Sequence, residues 1–341
     1  MKRREFYIGV DIAADTLAAS VFRAEHGRLA TKEQIPNTTD GFQELFQWLE
    51  GHAITAENAV VCVEATGVYG EPFCYFVAAT GYAIAVESPL KVKRAFHPAG
   101  GKSDAVDSQQ IAEYAYRFYD ELSFWSPNSQ IVEELRTLLK LRERVSKSLV
   151  IHKNARRSLR RKALHTPFAE SVTDELIGVL QQKLDAVDAE IERVIKQDPS
   201  LHDMVRKLDL IPGVGMLLAT YCLSLTNGFT QPVDYRSKAA YLGIAPLEHT
   251  SGKTVRKPSR SRHFGPKQVR KLLHLAARSV CVHNTQFREY YLRKLQEGKA
   301  EAIIYNNVSN KLLRIICAII RSGRAYIPNY RSINPMLLNA A

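Results

Sequence analysis

Four carboxylates stand where their types and spacing could do chemistry. Asp11 closes the apolar run Tyr7-Ile8-Gly9-Val10-Asp11, and Glu64 closes a second, Val60-Val61-Cys62-Val63-Glu64. Asp104 and Asp107 are spaced i, i+3 at the start of a predicted helix, so both project from one face. An acid ending an otherwise apolar strand is costly unless something compensates it. Each acid alone has an ordinary explanation: strand-end Asp residues serve turns and caps, and acids in a first helical turn favour the helix dipole. Four acids at these element positions together point instead to a divalent cation. Oxygen-only ligands suit Mg²⁺ or Mn²⁺. One or two such ions could polarise a phosphate and stabilise its attacking and leaving oxygens.

For the four acids to meet, the elements that carry them must be neighbours. Tyr7–Ile12, Thr16–Phe22 and Arg28–Ile35 read as three strands joined by tight turns, an antiparallel meander. Thr39 or Asp40 then caps a helix with Phe42, Leu45, Phe46 and Leu49 at helical spacing. Ala59–Val63 is a buried strand, a helix runs around Glu71–Ala79, and a strand follows at Tyr82–Val86. Pro89 opens a lysine-rich segment, and a helix from about Ser103 to Phe118 closes the unit. This is the element order of an α/β, RNase H-like (RuvC-like) domain over residues 1–125. In that fold the first and fourth strands are neighbours and the last helix crosses them, so the acids converge. Sugar-kinase and actin-type ATPases also open on a strand with Gly-x-Asp. They need further phosphate loops and a repeated lobe, and the sequence has neither.

Charge supplies a second signal. The chain has 341 residues and a net charge of +12, which favours a polyanionic partner. Arg142 to Lys162 holds nine Lys or Arg against Glu143 alone, and Lys253 to Lys271 holds eight and no acid. Each window is therefore net +8 and the rest of the chain net −4. Charge patterned in this way suits phosphate binding rather than general solubility. The five cysteines sit in apolar contexts without CxxC spacing, against a disulfide framework or zinc site. The basic N-terminus moves straight into a strand, and the longest late apolar run, Leu312 to Ile320, is broken by Arg314. These features point to a cytoplasmic protein with a nucleic-acid partner and no membrane.

Residues 126–200 read as two long helices with an a/d seam. Ile131, Leu135, Leu138, Arg142, Val145 and Leu149 mark the first helix; Ile177, Leu180, Leu184, Val187, Ile191 and Val194 mark the second. An antiparallel coiled-coil arm for oligomerisation follows, joined near His165–Pro167 and interrupted at Arg142. Its basic end, with Lys153, Arg156, Arg157, Arg160 and Arg161, is either a solvated surface or a grip on nucleic acid, and the two are compatible. Residues 201–341 read as a mostly α-helical unit with a basic loop at Thr250–Lys267, then helices at Gln268–Val282 and Ala300–Ile320. In its Pro212-Gly213-Val214-Gly215 segment, Gly213 and Gly215 would let backbone amides approach phosphates. An ordinary glycine turn between helices has the same sequence.

Nearly the whole chain resembles the DEDD transposases and recombinases of insertion-sequence family one-one-zero, relatives of the pilin-gene invertases. The resemblance lies in Tyr7–Asp11, Glu64-Ala65-Thr66-Gly67, Gly101–Asp107, Ile211–Gly215, Ala240–Pro246, and Gly298-Lys299 with Lys311-Leu312. It implies that Asp11, Glu64, Asp104 and Asp107 bind metal, and that a C-terminal serine is the DNA nucleophile. The best register places that serine at Ser259, with Ser251 and Ser261 as alternatives. Arg256, Arg260 and Arg262 would hold the phosphate, and Ser259 could instead bind it without chemistry. The resemblance further implies donor and target DNA, an element-encoded guide (bridge) RNA and a homo-oligomer, dimer to tetramer, associated with the nucleoid when active. An active site would combine the carboxylates of one protomer with the serine of another. A metal-dependent junction nuclease and a non-catalytic nucleic-acid-binding protein are the alternatives. Ser103 and Ser108 stand where the family suggests Thr and Ala, and Pro258 fixes the backbone before Ser259.

Overall fold

A computed structural model describes residues 3–96, 103–229, 234–251, 255–261 and 265–328, without the side chains of 247–251 and 255–260. The chain divides into two compact units, 1–127 and 128–341.

The first unit is a mixed sheet with helices on both faces. Strands β1 (Phe6–Ile12), β2 (Thr16–Arg23) and β3 (Gly27–Pro36) form the meander. Helix α1 (Thr39–Glu50) leads to β4 (Ala59–Glu64), and α2 (Glu71–Ala79) leads to β5 (Ala83–Glu87). Then come α3 (Pro89–Ala95), α4 (Asp104–Arg117) and a short edge strand β6 (Phe124–Trp125). The sheet order is β3-β2-β1-β4-β5-β6, with β4 parallel to both β1 and β5. Alternation along the strands sends Ile8, Val10, Val61 and Val63 to one core with Phe42, Leu45 and Phe73 of α1 and α2. It sends Tyr7, Val60 and Cys62 to the other, with Ile111, Tyr114 and Ala115 of α4. The cap of α1 is Thr38, one residue before the expected pair; its hydroxyl accepts from the Gly41 amide at 3.3 Å.

The second unit is mostly helical. Helices α5 (Gln130–Leu159) and α6 (Pro167–Lys196) pack along each other antiparallel. After α7 (Pro199–Asp209), α8 (Met216–Leu225) and α9 (Tyr235–Tyr241) comes a two-stranded ribbon, β7 (Pro246–Ser251) and β8 (Val255–Ser261). The segment expected to be a loop is therefore largely strand. Residues Val255–Ser261 pair antiparallel with Pro246–Ser251, although Val255 is the only β-branched residue in β8 and its proline and arginines gave no strand signal. Helices α10 (Lys267–His283), α11 (Thr285–Gln296) and α12 (Glu301–Ser322) complete the unit. The sequence reading missed α11, which is rich in charge and aromatics and buries only Phe287.

Leu135, Leu139, Ile191 and Ile195 from the bases of α5 and α6 share one core with Leu208, Leu218, Leu273 and Leu312. At this base Leu135 of the expected seam is buried together with Val132 and Leu139, while Ile131 and Leu138 of the seam are only partly covered. The added helices there widen the buried stripe beyond a two-helix seam. By length and composition alone α12 could cross a membrane, contrary to the sequence reading. Its Ile304, Val308, Leu312, Leu313 and Ile316 are buried in the core of this unit.

Candidate active site and nucleic-acid surfaces

Strand register brings the first two acids together. Val10 of β1 pairs with Val63 of β4, and the strands are parallel. Asp11 and Glu64, one residue on, leave the same end of adjacent strands, and both are half-buried. Helix α4 carries the other two. The Ser103 hydroxyl accepts from the Val106 amide at 3.3 Å, which starts the helix so that Asp104 and Asp107 occupy its first turn. Asp104 is exposed and Asp107 half-buried.

Gly9 sets how closely α4 approaches β1. A Cβ at this position would lie 2.2 Å from the Ala112 nitrogen and 2.3 Å from the Ser108 carbonyl oxygen. No side chain fits. Ser108, where the family resemblance suggested Ala, is fully buried and hydrogen-bonds Ser20 of β2 at 2.8 Å. It also donates to the Ala105 carbonyl at 3.0 Å. The serine thus ties the first turns of α4 to the sheet.

Charge at the site is crowded. Burial pushes the Glu64 carboxyl above the usual carboxylate range, and the charges of Asp11 and Asp107 push it further, opposed by Lys93. Among the described residues, no group of three His, Cys, Asp or Glu side chains is closed tightly enough to hold a metal as it stands. The sequence reading overlooked a neighbouring acid, Glu87, which pairs in register with Glu64 and is 1% exposed. Its carboxylate accepts from the Ser123 amide at 2.7 Å and from Lys91 Nζ at 3.0 Å. The lysine four residues on is the sequence signal that this acid has a structural partner. All five cysteines are free and buried, and burial pushes the Cys222 thiol up to about 12.

In the second unit Ser259 lies in β8 beside an irregularity in the ribbon. Leu247 pairs with Arg260 and His249 with Lys257, so Pro258 and Ser259 together face Glu248. A bulge at this point accommodates a proline, which has no amide to donate, and re-aims the residues it contains. Arg256 and Arg260 lie in the same strand, and Arg262 lies outside the described residues.

The basic arm is partly self-compensated. Arg156 of α5 and Arg160, which caps its end, both reach Asp174 of α6 at 3.2 Å, and Lys153 donates to Gln181 at 3.5 Å. Arg157 and Arg161 are exposed. Arg142, which interrupts the seam, makes a two-pronged ion pair with Asp188, one prong at 3.0 Å. Gly213 has φ +78°, and a Cβ there would meet Val280 at 2.6 Å, so packing against α10 requires this glycine. Gly215, by contrast, borders open space at the start of α8.

Comparison with known proteins decides the family. Residues 8–162 match the DEDD transposase model of the IS110 group, and residues 205–292 match the Transposase IS116/IS110/IS902 family. The chain belongs to the IS110-family transposases. It is accordingly an enzyme of DNA strand cleavage and transfer. The pilin gene-inverting protein of Moraxella bovis is 27% identical over 94% of this chain and 97% of its own length. The transposase for insertion sequence element IS1111A of Coxiella burnetii is 24% identical over 70% of this chain and 71% of its own length.

Proposed function

We propose that this IS110-family transposase is a site-specific recombinase in which Ser259 attacks a DNA phosphate and Asp11, Glu64, Asp104 and Asp107 hold a divalent cation. The observation that carries the reading is the convergence of Asp11 and Glu64 on adjacent parallel strands beneath α4. The sheet order supports an RNase H-like reading of residues 1–125. The paired 30-residue helices support a coiled-coil arm over 126–200. Residues 201–341 are the transposase domain of this reading, with a helix-hairpin-helix-like turn at Gly213–Gly215.

The donor chemistry fits a hard cation: Asp11, Glu64 and Asp107 offer only oxygen, and Asp11 and Asp107 raise the charge cost of Glu64. When bound, Mg²⁺ or Mn²⁺ relieves that repulsion and polarises a phosphate. The residues of the chain do the rest. The Ser259 oxygen bonds to phosphorus as its proton leaves, and the bond from phosphorus to one deoxyribose oxygen breaks. That oxygen departs as a DNA hydroxyl. The phosphoserine link keeps the phosphoester, so a second DNA hydroxyl can attack it, re-form a phosphodiester and restore serine without ATP. Arg256, Arg260 and Arg262 offset the charge that develops on phosphate. A guide RNA supplies sequence by base pairing, with Lys153, Arg157 and Arg161 offering cations to its backbone, and the recombinase works as a dimer or tetramer.

The test is recombination between plasmids carrying the native flanks of the element and a target, stopped in detergent and probed for protein-linked DNA. Wild type forms the adduct and Ser259→Ala does not. Cleavage that persists in Ser259→Ala without an adduct means that water attacks and the carboxylates run a hydrolytic nuclease.

A further inference from the structure

From Ala302 to the end the sequence contains no Asp or Glu and five cations: Lys311, Arg314, Arg321, Arg324 and Arg331. The described ones gather on one surface. Lys311, Arg314, Ala318 and Arg321 are exposed along one face of α12, at spacings of three, four and three. The opposite face buries Ile304, Val308, Leu312 and Ile316. The cationic face borders a groove of about 550 Å³ between α12, the start of α11 and the segment after Gly323. Four cations line it, no acid does, and Phe287, Ile315 and Tyr326 supply apolar surface.

Two of the cations, Lys311 and Arg314, are held by rings. Lys311 lies 4.5 Å from the centre of the Tyr290 ring, which also carries Arg293 at 5.7 Å. Arg314 lies 4.8 Å from the Tyr235 ring. Cation–π contacts orient a positive charge without neutralising it. Among the described residues no ion pair engages Lys311, Arg314, Arg321 or Arg324. Burial and the charges of Arg293 and Arg314 push Lys311 below the usual lysine range. Unneutralised cations beside apolar and aromatic surface suit a strand that brings phosphates for the charges and sugar or base faces for the rings.

We infer that the groove along α12 binds the phosphodiester backbone of a nucleic-acid strand, through Lys311, Arg314, Arg321 and Arg324. This surface is separate from the arm and from β7–β8, and the inference rests on the transposase reading. It adds a further anchoring point, which reads backbone and not sequence.

The experiment uses the full chain and fluorescence anisotropy with labelled single-stranded DNA and RNA of one sequence, titrated across salt. Arg321→Gln/Arg324→Gln removes two groove charges from exposed positions. Lys183→Gln/Lys196→Gln removes the same charge from α6. The groove variant is expected to weaken binding at least tenfold at ~0.1 M salt and to flatten the slope of log affinity against log salt by about 1.4, the value for two lost single-strand contacts. The control keeps the wild-type slope. A larger loss with RNA than with DNA, or the reverse, identifies the strand that occupies the groove. An unchanged slope in the groove variant overturns the inference, as does an equal loss in the control. Wild type that binds neither strand overturns the nucleic-acid reading itself.

Discussion

Gly9 leaves a space that the backbone of α4 fills, and the position of the acids depends on it. The missing Cβ lets α4 lie against β1, which carries Asp107 to the end of the strand where Asp11 and Glu64 emerge. Gly9→Ala forces backbone against backbone, since its nearest contacts are main-chain atoms. We expect a loss of about 1–3 kcal/mol in chemical denaturation of the first unit, with recombination falling further than stability. Wild-type stability in Gly9→Ala would show that α4 sits farther from the sheet. Asp11 should behave in the opposite way. It raises the cost of ionising Glu64, so without metal Asp11→Asn keeps or raises the melting temperature while abolishing recombination. Saturating Mg²⁺ should stabilise wild type, by about 2.7 kcal/mol at one hundred times its Kd, and leave Asp11→Asn unmoved. Equal Mg²⁺ shifts in both proteins, measured by scanning calorimetry, would remove Asp11 from the metal set.

The ribbon shows what an element adds to a residue. Pro258 and Ser259 share one partner position opposite Glu248. Deleting Pro258 removes the extra residue and restores regular pairing, so that Ser259 alone stands opposite Glu248 and the local bend of the bulge is lost. The deletion should fold, keep nucleic-acid affinity and lose the covalent adduct. Pro258→Ala, which keeps the count, should keep most of it. An adduct of wild-type yield from the deletion argues that Ser251 or Ser261 is the nucleophile. The same ribbon marks where the sequence stopped being legible. Strands β1, β4 and β5 announce themselves as apolar runs, and α4 by its cap and paired acids, so the elements that carry the four acids could be read directly, whereas Glu87 gave only its lysine four residues on. The ribbon has no apolar run, and α11 buries only Phe287, so neither gives a burial pattern to follow. Arg142 looked like a break in the helical seam. Its partner Asp188 is 46 residues away, and only the packed hairpin reveals the ion pair that fills the slot.

At the scale of the whole molecule, the two units each enclose their own core, and the groups proposed to react are divided between them. The carboxylates belong to the first unit and Ser259 to the second. A protein arranged in this way can complete its site within one chain or between chains, and a symmetric oligomer makes the second possible without loss of any site. Mixing inactive variants separates the cases. Suppose that Asp11→Asn and Ser259→Ala proteins are mixed and allowed to exchange protomers. If each site is built within one chain, every site lacks either its carboxylate or its serine, and no recombinant forms. If carboxylates act on the serine of a partner, each mixed dimer has one site with neither group and one with both. Random exchange then leaves roughly one site in four intact. We expect this partial recovery, with the DNA adduct carried only by the Asp11→Asn chain, which a size tag on one variant resolves on a denaturing gel. The serine donor and the carboxylate donor must then be different molecules, because the chain bearing the adduct lacks Asp11. A mixture that stays inactive after exchange has been verified places both groups in one chain and leaves the long helices a role in holding protomers together rather than in completing the site.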